Sequence, residues 1–300
     1  YDRDIGEFIT RARQVPVLIN YSVGNKRFEK KPDQYDLELI RKIEESEIPY
    51  WYPTDRMPEG YNTEQPKVSH GITHVHHFYT RRNLWVLAAL HNAASGLYKV
   101  VRFWLTSIDH GLSKRVKHGN WSFPMSTLSG TLYVPALSRE NNPLYFLRNK
   151  SEKLKRALAS RYAIFSFNIG TQHSGRLSIG DSVIDYIFTD PPFGGNLMYS
   201  ELNFLWEAWL RVFTNNKPEA IENKAQGKGP REYQELMEKC FAEYYRVLKP
   251  GRWMTVVFHN SQNRIWNAIQ EAILRAGFVI ADVRTLDKKQ GTFKQVTSTT

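Results

Sequence analysis

The sequence has a single cysteine, Cys240, so it can form no internal disulfide and cannot build a cysteine-based zinc site. That usage fits a reducing, cytoplasmic compartment. No apolar run approaches the ~20 residues a membrane helix needs, and Tyr1-Asp2-Arg3-Asp4 is neither a signal peptide nor an initiating segment, so the chain reads as a fragment or a processed piece. Internal repeats and low-complexity tracts are missing too. Three hundred residues with 41% hydrophobic side chains exclude a disordered tail or a disulfide-stapled miniprotein and leave one or two globular domains.

Acidic side chains are scarce in one stretch. Residues 81–160 hold thirteen Lys and Arg against three acids, which places +10 of the net charge of +11 there. Tyr98, Phe103, Trp104, Trp121, Phe123, Tyr133, Tyr145 and Phe146 are interleaved with those cations. A surface that pairs phosphates and stacks bases needs this mixture, and so does a solvated basic face over an ordinary aromatic core. The charge favours an anionic partner such as nucleic acid.

Residues 1–70 are polar and punctuated by Pro16, Pro32, Pro49, Pro53, Pro58 and Pro66, which leaves room for short elements and one helix over 36–47. Apolar spacing from 78 to about 117 predicts two helices broken near Ser95-Gly96, followed by a strand over 131–134 and a basic helix over 151–158. After residue 160 short apolar runs alternate with amphipathic stretches, the pattern of a parallel α/β sheet. Strands are predicted over 163–167, 183–188, 253–258 and 278–283, helices over 200–212, 233–247 and 264–275, and a terminal hairpin over 292–297. Leu248-Lys249-Pro250-Gly251 reads as a helix stop.

The strand over 183–188 runs into Thr189-Asp190-Pro191-Pro192-Phe193-Gly194-Gly195-Asn196. Open parallel sheets bind ligands at the carboxyl ends of their strands. Two adjacent prolines fix φ and remove two amide donors, so the loop is stiff and rich in acceptors. An exocyclic nucleobase amine is a poor nucleophile, because its lone pair is delocalised into the ring. Two acceptors around the NH2, the Asp190 carboxylate and the Pro191 carbonyl, would draw the nitrogen toward tetrahedral geometry and stabilise the charge that develops on it. Phe193 would stack on a base flipped out of the duplex. Without that chemistry Asp-Pro-Pro is simply a turn.

Asp190-Pro191-Pro192-Phe193, behind Asp185-Tyr186-Ile187-Phe188-Thr189, resembles motif IV of the S-adenosylmethionine-dependent DNA amino-methyltransferases, which methylate adenine N6 or cytosine N4. The helix end at 243–251 and the strand over 253–258 are similar to the next elements of that catalytic domain. The resemblance covers 161–300, is weaker over 71–160, and extends to Phe78-Tyr79-Thr80-Arg81-Arg82-Asn83-Leu84 of the large bacterial DNA methylases. It implies a Rossmann-like class I methyltransferase sheet, partial in this chain, with a helical, basic N-terminal and target-recognition region. The corresponding division is 1–95 packing on the catalytic domain, 96–160 for DNA binding and target recognition, and 161–300 for catalysis. The family's Phe-x-Gly-x-Gly cofactor loop occurs nowhere in the sequence. The first strand and that loop are therefore expected upstream of Tyr1, the alternative being an inactive relative with a degenerate cofactor site.

The resemblance implies S-adenosylmethionine as cofactor and DNA as partner, and is compatible with a restriction or defence-system partner. Thr171, Gln172 and Ser174, after the strand over 163–167, fall where the cofactor's adenine usually lies, unless theirs is an ordinary surface loop; Asp190 would border the methyl donor. Lys114, Arg115, Lys117 and Asn196 are candidate nucleic-acid contacts, against a solvated helix end for the basic three. No metal is expected: Gly71, Ile72, Thr73 and Val75 oppose a helix that would align His70 with His74, and no nearby carboxylate completes a set with His76 and His77. Cys240, Trp206 and Trp209 read as core. The expected activity is methyl transfer to an exocyclic amine of DNA, adenine N6 ahead of cytosine N4, because the cytosine enzymes of this resemblance more often carry Ser where Asp190 stands. An RNA guanine-N2 methyltransferase and a non-catalytic nucleic-acid-binding relative are the competing readings.

Overall fold

The computed structural model describes residues 1–96, 99–119, 127–159 and 168–285. In order these form β1 (Ile19–Val23), β2 (Lys26–Lys30), α1 (Gln34–Glu45), α2 (Tyr61–His70), α3 (Arg81–Ala93), α4 (Lys99–Asp109), α5 (Pro143–Ala159), β3 (Ile184–Thr189), α6 (Tyr199–Leu210), α7 (Pro230–Val247), β4 (Leu248–Val256) and α8 (Asn263–Arg275), with short 3₁₀ turns between some of them. The chain divides into two units, Tyr1–Ile169 with Leu197–Gly227, and Gly170–Asn196 with Lys228–Thr300. No helix among the described residues is long and apolar enough to cross a membrane.

Helices build the first unit. α1 begins on a reciprocal cap in which the Asp36 N–H donates to Asp33 Oδ1 and the Asp33 N–H to Asp36 Oδ2, both at 3.0 Å, so two otherwise orphaned amides are satisfied. The Thr80 hydroxyl caps α3 by accepting from the Asn83 N–H at 3.3 Å. Leu84, Leu87 and Ala88 of α3 and Leu105 and Ile108 of α4 are buried with Phe78, Leu112, Leu205 and Trp209 in one apolar cluster. α2 ends at Gly71 in the left-handed region (φ +66°), where a Cβ would lie 2.0 Å from the Thr10 carbonyl oxygen. α6 belongs to this unit. Its Trp209 Nε1–H donates to the Tyr79 hydroxyl at 3.1 Å, and its Glu201, 2% exposed, accepts from Asn62 N at 2.9 Å, Asn62 Nδ2 at 3.1 Å and Asn223 Nδ2 at 3.0 Å.

One local expectation fails in this unit, and one element was not foreseen. The hairpin β1–β2, turning at Gly24-Asn25, was not read from the sequence, although a glycine beside an asparagine between polar-apolar runs is a hairpin signal. The strand predicted over 131–134 does not form. The amide of Gln65 takes the place of a neighbouring strand, accepting from the Val134 N–H at 3.0 Å and donating to the Val134 carbonyl at 3.1 Å. A side chain satisfies these backbone groups, so no ladder is needed. The basic helix is longer than predicted, because Asn142 caps it from outside: its Oδ1 accepts from the Leu144 N–H at 3.0 Å.

The second unit carries β3 and β4, paired in parallel with Phe188 opposite Thr255 and Thr189 opposite Val256. Ile184 pairs with Leu248 and Tyr186 with Trp253, so the extra residues of β4, Pro250 and Gly251 (φ +74°) among them, bulge out of register. The helix stops at Val247 as predicted, and the stop residues themselves form the first part of β4, earlier than the strand expected from 253. Tyr233, Met237, Phe241, Ile265, Ala268, Ile269 and Ala272 are all buried on α7 and α8. The strand predicted over 278–283 is irregular. Gly277 (φ +101°) ends α8, with the Phe278 N–H donating back to the Ile273 carbonyl at 3.3 Å, so the chain closes a helix end where a strand was expected. The predicted strand over 163–167 and hairpin over 292–297 lie outside the described residues. The architecture is mixed α/β with two two-stranded sheets, and a wider Rossmann-like sheet is not seen among the described residues.

Candidate active site

β3 ends at Thr189, whose carbonyl accepts from the Val257 N–H at 2.9 Å and extends the ladder one step past β4. Asp190 follows at the carboxyl edge of the sheet and is exposed, whereas Pro191 is buried. Among the described residues neither the Asp190 carboxylate nor the Pro191 carbonyl accepts a hydrogen bond. The next two carbonyls are engaged. The Tyr233 hydroxyl donates to the Pro192 carbonyl at 2.7 Å, and Asn260 Nδ2 donates to the Phe193 carbonyl at 3.0 Å. Phe193 stands edge-on to Phe258 with centroids 5.3 Å apart, and Phe258 edge-on to Trp266 at 5.0 Å. Gly194, buried with φ +62°, then turns the chain in a conformation that favours glycine.

Residues 184–299 match the family N6_N4_Mtase, described as DNA methylase, and the match opens on β3 and takes in the loop just described. Over this segment the chain is similar to the DNA methylase family. No curated protein and no solved structure matches the chain. The resemblance drawn from Asp190–Phe193 to the adenine N6 and cytosine N4 enzymes is supported by this match over residues 184–299.

Sequence reasoning did not single out Tyr233 or Asn260 in the methylase segment. Asn260 had a usable signal: it lies in the loop just past the carboxyl end of β4, as Asp190 lies past that of β3, so the carboxyl-edge rule that pointed to one covers the other. Tyr233 had none, since an aromatic residue in the first turn of an amphipathic helix reads as core. Its ring is buried as such (0% exposed), and only the hydroxyl reaches the loop.

Of the residues expected at the cofactor, Thr171 and Gln172 are exposed and Ser174 is half-buried. Gln172 Oε1 accepts from the Ser178 N–H at 2.9 Å and the Arg176 N–H donates to the His173 carbonyl at 3.0 Å, so this loop folds back on itself. Arg246 then ties its far side down, donating to the Leu177 and Ile179 carbonyls and to Glu243. The Arg246 hydrogen bonds hold the Glu243 carboxyl down at about 2. The Thr171 and Ser174 hydroxyls have no hydrogen-bond partner among the described residues, and Gly170 and Gly175 flank them, so the loop keeps donors and an open backbone approach that a nucleoside cofactor would use.

The candidate nucleic-acid contacts separate. Arg115 is an interior residue, 5% exposed, donating to the Thr131 carbonyl and lying 3.1 Å from His110 Nδ1. Lys114 is half-buried, and burial lowers its ammonium to about 8. Lys117 is half-buried and bridges Ser138 through the backbone, while Asn196 is exposed. Cys240 and Trp209 are buried as expected, with the thiol pushed up to about 11, and Trp206 is half-buried, its Nε1–H donating to the Thr106 carbonyl at 3.0 Å.

The expectation that no carboxylate joins the histidines needs correction. Asp2 folds back so that its Oδ2 lies 2.8 Å from His77 Nε2 and 3.3 Å from His76 Nε2, all three residues being buried. The Thr73 N–H points at His77 Nδ1 at 3.3 Å, which makes that nitrogen the acceptor and places the proton on Nε2. A histidine that binds metal through Nε2 needs its Nδ1 to donate instead. Asp2 therefore accepts a hydrogen bond from His77, and burial keeps this ring neutral by lowering it to about 3.

Proposed function

We propose that the chain methylates an exocyclic amino group of a DNA base, adenine N6 ahead of cytosine N4, with S-adenosylmethionine as donor and Asp190–Phe193 as the amine-holding loop. The observation that carries this reading is the pair of unengaged acceptors, the Asp190 carboxylate and the Pro191 carbonyl, at the carboxyl edge of β3 within the family segment. Two acceptors bind the two N–H bonds of an amine and oppose the positive charge that grows on nitrogen as its lone pair leaves the ring. Both are in place before the substrate arrives, so little reorganisation is needed. The base must leave the stack to reach them, and the Phe193 ring provides an aromatic surface beside them. Bound S-adenosylmethionine supplies the methyl group; the residues described here act on the amine.

The test is incubation of unmethylated duplex DNA, and separately structured RNA, with labelled S-adenosylmethionine, followed by digestion to nucleosides. Label is expected in N6-methyldeoxyadenosine. Label in N4-methyldeoxycytidine would correct the base, and label confined to RNA guanosine would sink the DNA reading.

For grip on the duplex, the basic segment supports α5 better than the turn around residue 115. Arg148, Lys153 and Arg156 are exposed on it without an ion pair among the described residues, Lys155 pairs with Glu152 at 3.1 Å, and Tyr145 is 63% exposed. At 3.6 residues per turn Tyr145, Arg148, Asn149, Glu152 and Arg156 fall on one outward stripe. Reversing Arg148, Lys153 and Arg156 to Glu together is expected to weaken duplex binding at least about tenfold and to reduce the slope of log affinity against log salt by roughly three, about one per lost phosphate contact. Fluorescence anisotropy over a salt series reads both, and an unchanged slope would remove α5 from the interface.

A further inference from the structure

We infer that Tyr233 and Asn260 are positioning residues for methyl transfer, which act by fixing the carbonyls of the acceptor loop; the inference rests on the reading of Asp190–Phe193 proposed above. Pro191 and Pro192 have no N–H, so the loop lacks two of the amides with which ordinary turns brace themselves. Three consecutive carbonyls, of Pro191, Pro192 and Phe193, are then free to compete for an incoming NH2. Only the first is the acceptor this chemistry uses. Tyr233 engages the second at 2.7 Å and Asn260 the third at 3.0 Å, leaving the Pro191 carbonyl and the Asp190 carboxylate as the two acceptors without a partner among the described residues.

Both donors are themselves held. The Gln262 N–H donates to Asn260 Oδ1 at 2.8 Å, which requires oxygen on that side of the amide and so turns the NH2 toward Phe193. Trp266 Nε1–H donates to the Asn260 carbonyl at 2.8 Å, and Trp266 packs through Phe258 back to the Phe193 ring. The chain of contacts is closed: Phe193 carbonyl, Asn260, Trp266, Phe258, Phe193 ring. On the other side, the fully buried Tyr233 ring leaves its hydroxyl little freedom to leave Pro192. Neither residue approaches the amine in this scheme. Their contribution is to the direction of the Pro191 carbonyl and the pitch of the Phe193 ring, and misplacement of such groups costs rate more than binding.

The experiment uses the full chain with unmethylated duplex DNA and saturating S-adenosylmethionine, comparing Tyr233→Phe, Asn260→Asp and the wild type. Tyr233→Phe deletes one hydroxyl and keeps the ring; Asn260→Asp keeps the acceptor for Gln262 and sets a carboxylate oxygen against the Phe193 carbonyl. Expected is a fall in kcat of about tenfold for the first variant and at least that for the second, the scale of one lost hydrogen bond expressed in the transition state. KM for DNA, duplex affinity by anisotropy and the thermal unfolding midpoint are expected to stay near wild type. Unchanged kcat in both variants, or a kcat that falls only in step with DNA affinity and folded fraction, overturns the positioning role. Asp190→Ala run alongside separates the two levels: if it keeps full activity, the reading of the loop fails, whereas if it is inactive beside a wild-type Tyr233→Phe, only the positioning role fails.

Discussion

Asp190→Ala is expected to lower the rate of methyl transfer by at least about 10²–10³, the cost of deleting one preorganised group that stabilises transition-state charge. Duplex affinity and the unfolding midpoint should hardly change. Asp190 is exposed and accepts no hydrogen bond among the described residues, so its side chain supports no neighbour whose loss would loosen the fold. On the proposed reading duplex binding rests on cations such as those of α5, and a carboxylate contributes nothing favourable to phosphate contact. Asp190→Asn keeps one acceptor oxygen but loses the negative charge, so it should retain more activity than alanine and less than wild type. Single-turnover methylation on pre-bound duplex, paired with anisotropy, distinguishes the cases. A variant that loses affinity and rate in equal measure would show that Asp190 holds the DNA and does not act on the amine.

The second large effect is on stability. Glu201→Ala should lower the unfolding free energy by about 3–5 kcal/mol, since it strips a buried acceptor from three donors at once and leaves them facing apolar surroundings. Asn62 N, Asn62 Nδ2 and Asn223 Nδ2 all converge on this carboxylate, which lies so close to Gly60 that a Cβ there would meet Glu201 Oε1 at 2.0 Å. Glu201→Gln preserves volume and one acceptor oxygen but turns an NH2 toward donors, so partial recovery is expected. Urea unfolding followed by tryptophan fluorescence measures both variants. A loss below about 1 kcal/mol for alanine would mean that water replaces the carboxylate at little cost and that this knot is not what holds α2 to α6.

Much of this was legible because it is local. The helices α1, α3, α4, α6, α7 and α8 came from apolar spacing near 3.6, and β3 from an apolar run bounded by turn residues; observed ends differ by a few residues, as start residues such as the Asp33 cap and Pro230 in the first turn lie outside the periodic stretch. The Asp190–Phe193 loop was legible for the same reason. Adjacent prolines restrict their own φ and remove their own donors whatever surrounds them, and a strand immediately before them dictates which edge of the sheet they occupy. The failures share a different origin. Gln65 replaced a strand partner for Val134 across 69 residues, and Asp2 reached His77 across 75. Lys249-Pro250-Gly251 stopped α7 as its composition signals, but it also entered β4, because register with β3 on either side absorbed it as a bulge.

By itself, then, the sequence determined the kinds of element, the stiff acceptor loop at the end of β3, and the concentration of positive charge in residues 81–160. These follow from backbone freedom, side-chain periodicity and formal charge, properties each residue carries with it. Only the tertiary structure decided which of those charges face solvent, taking Arg115 inside and leaving α5 outward, and which carbonyls of the loop remain to accept a proton-bearing nitrogen. That choice is made by Tyr233 and Asn260, which lie 41 and 67 residues from their acceptors. A hydrogen bond over such a separation depends on how helix and strand pack, and no window of neighbouring residues encodes it.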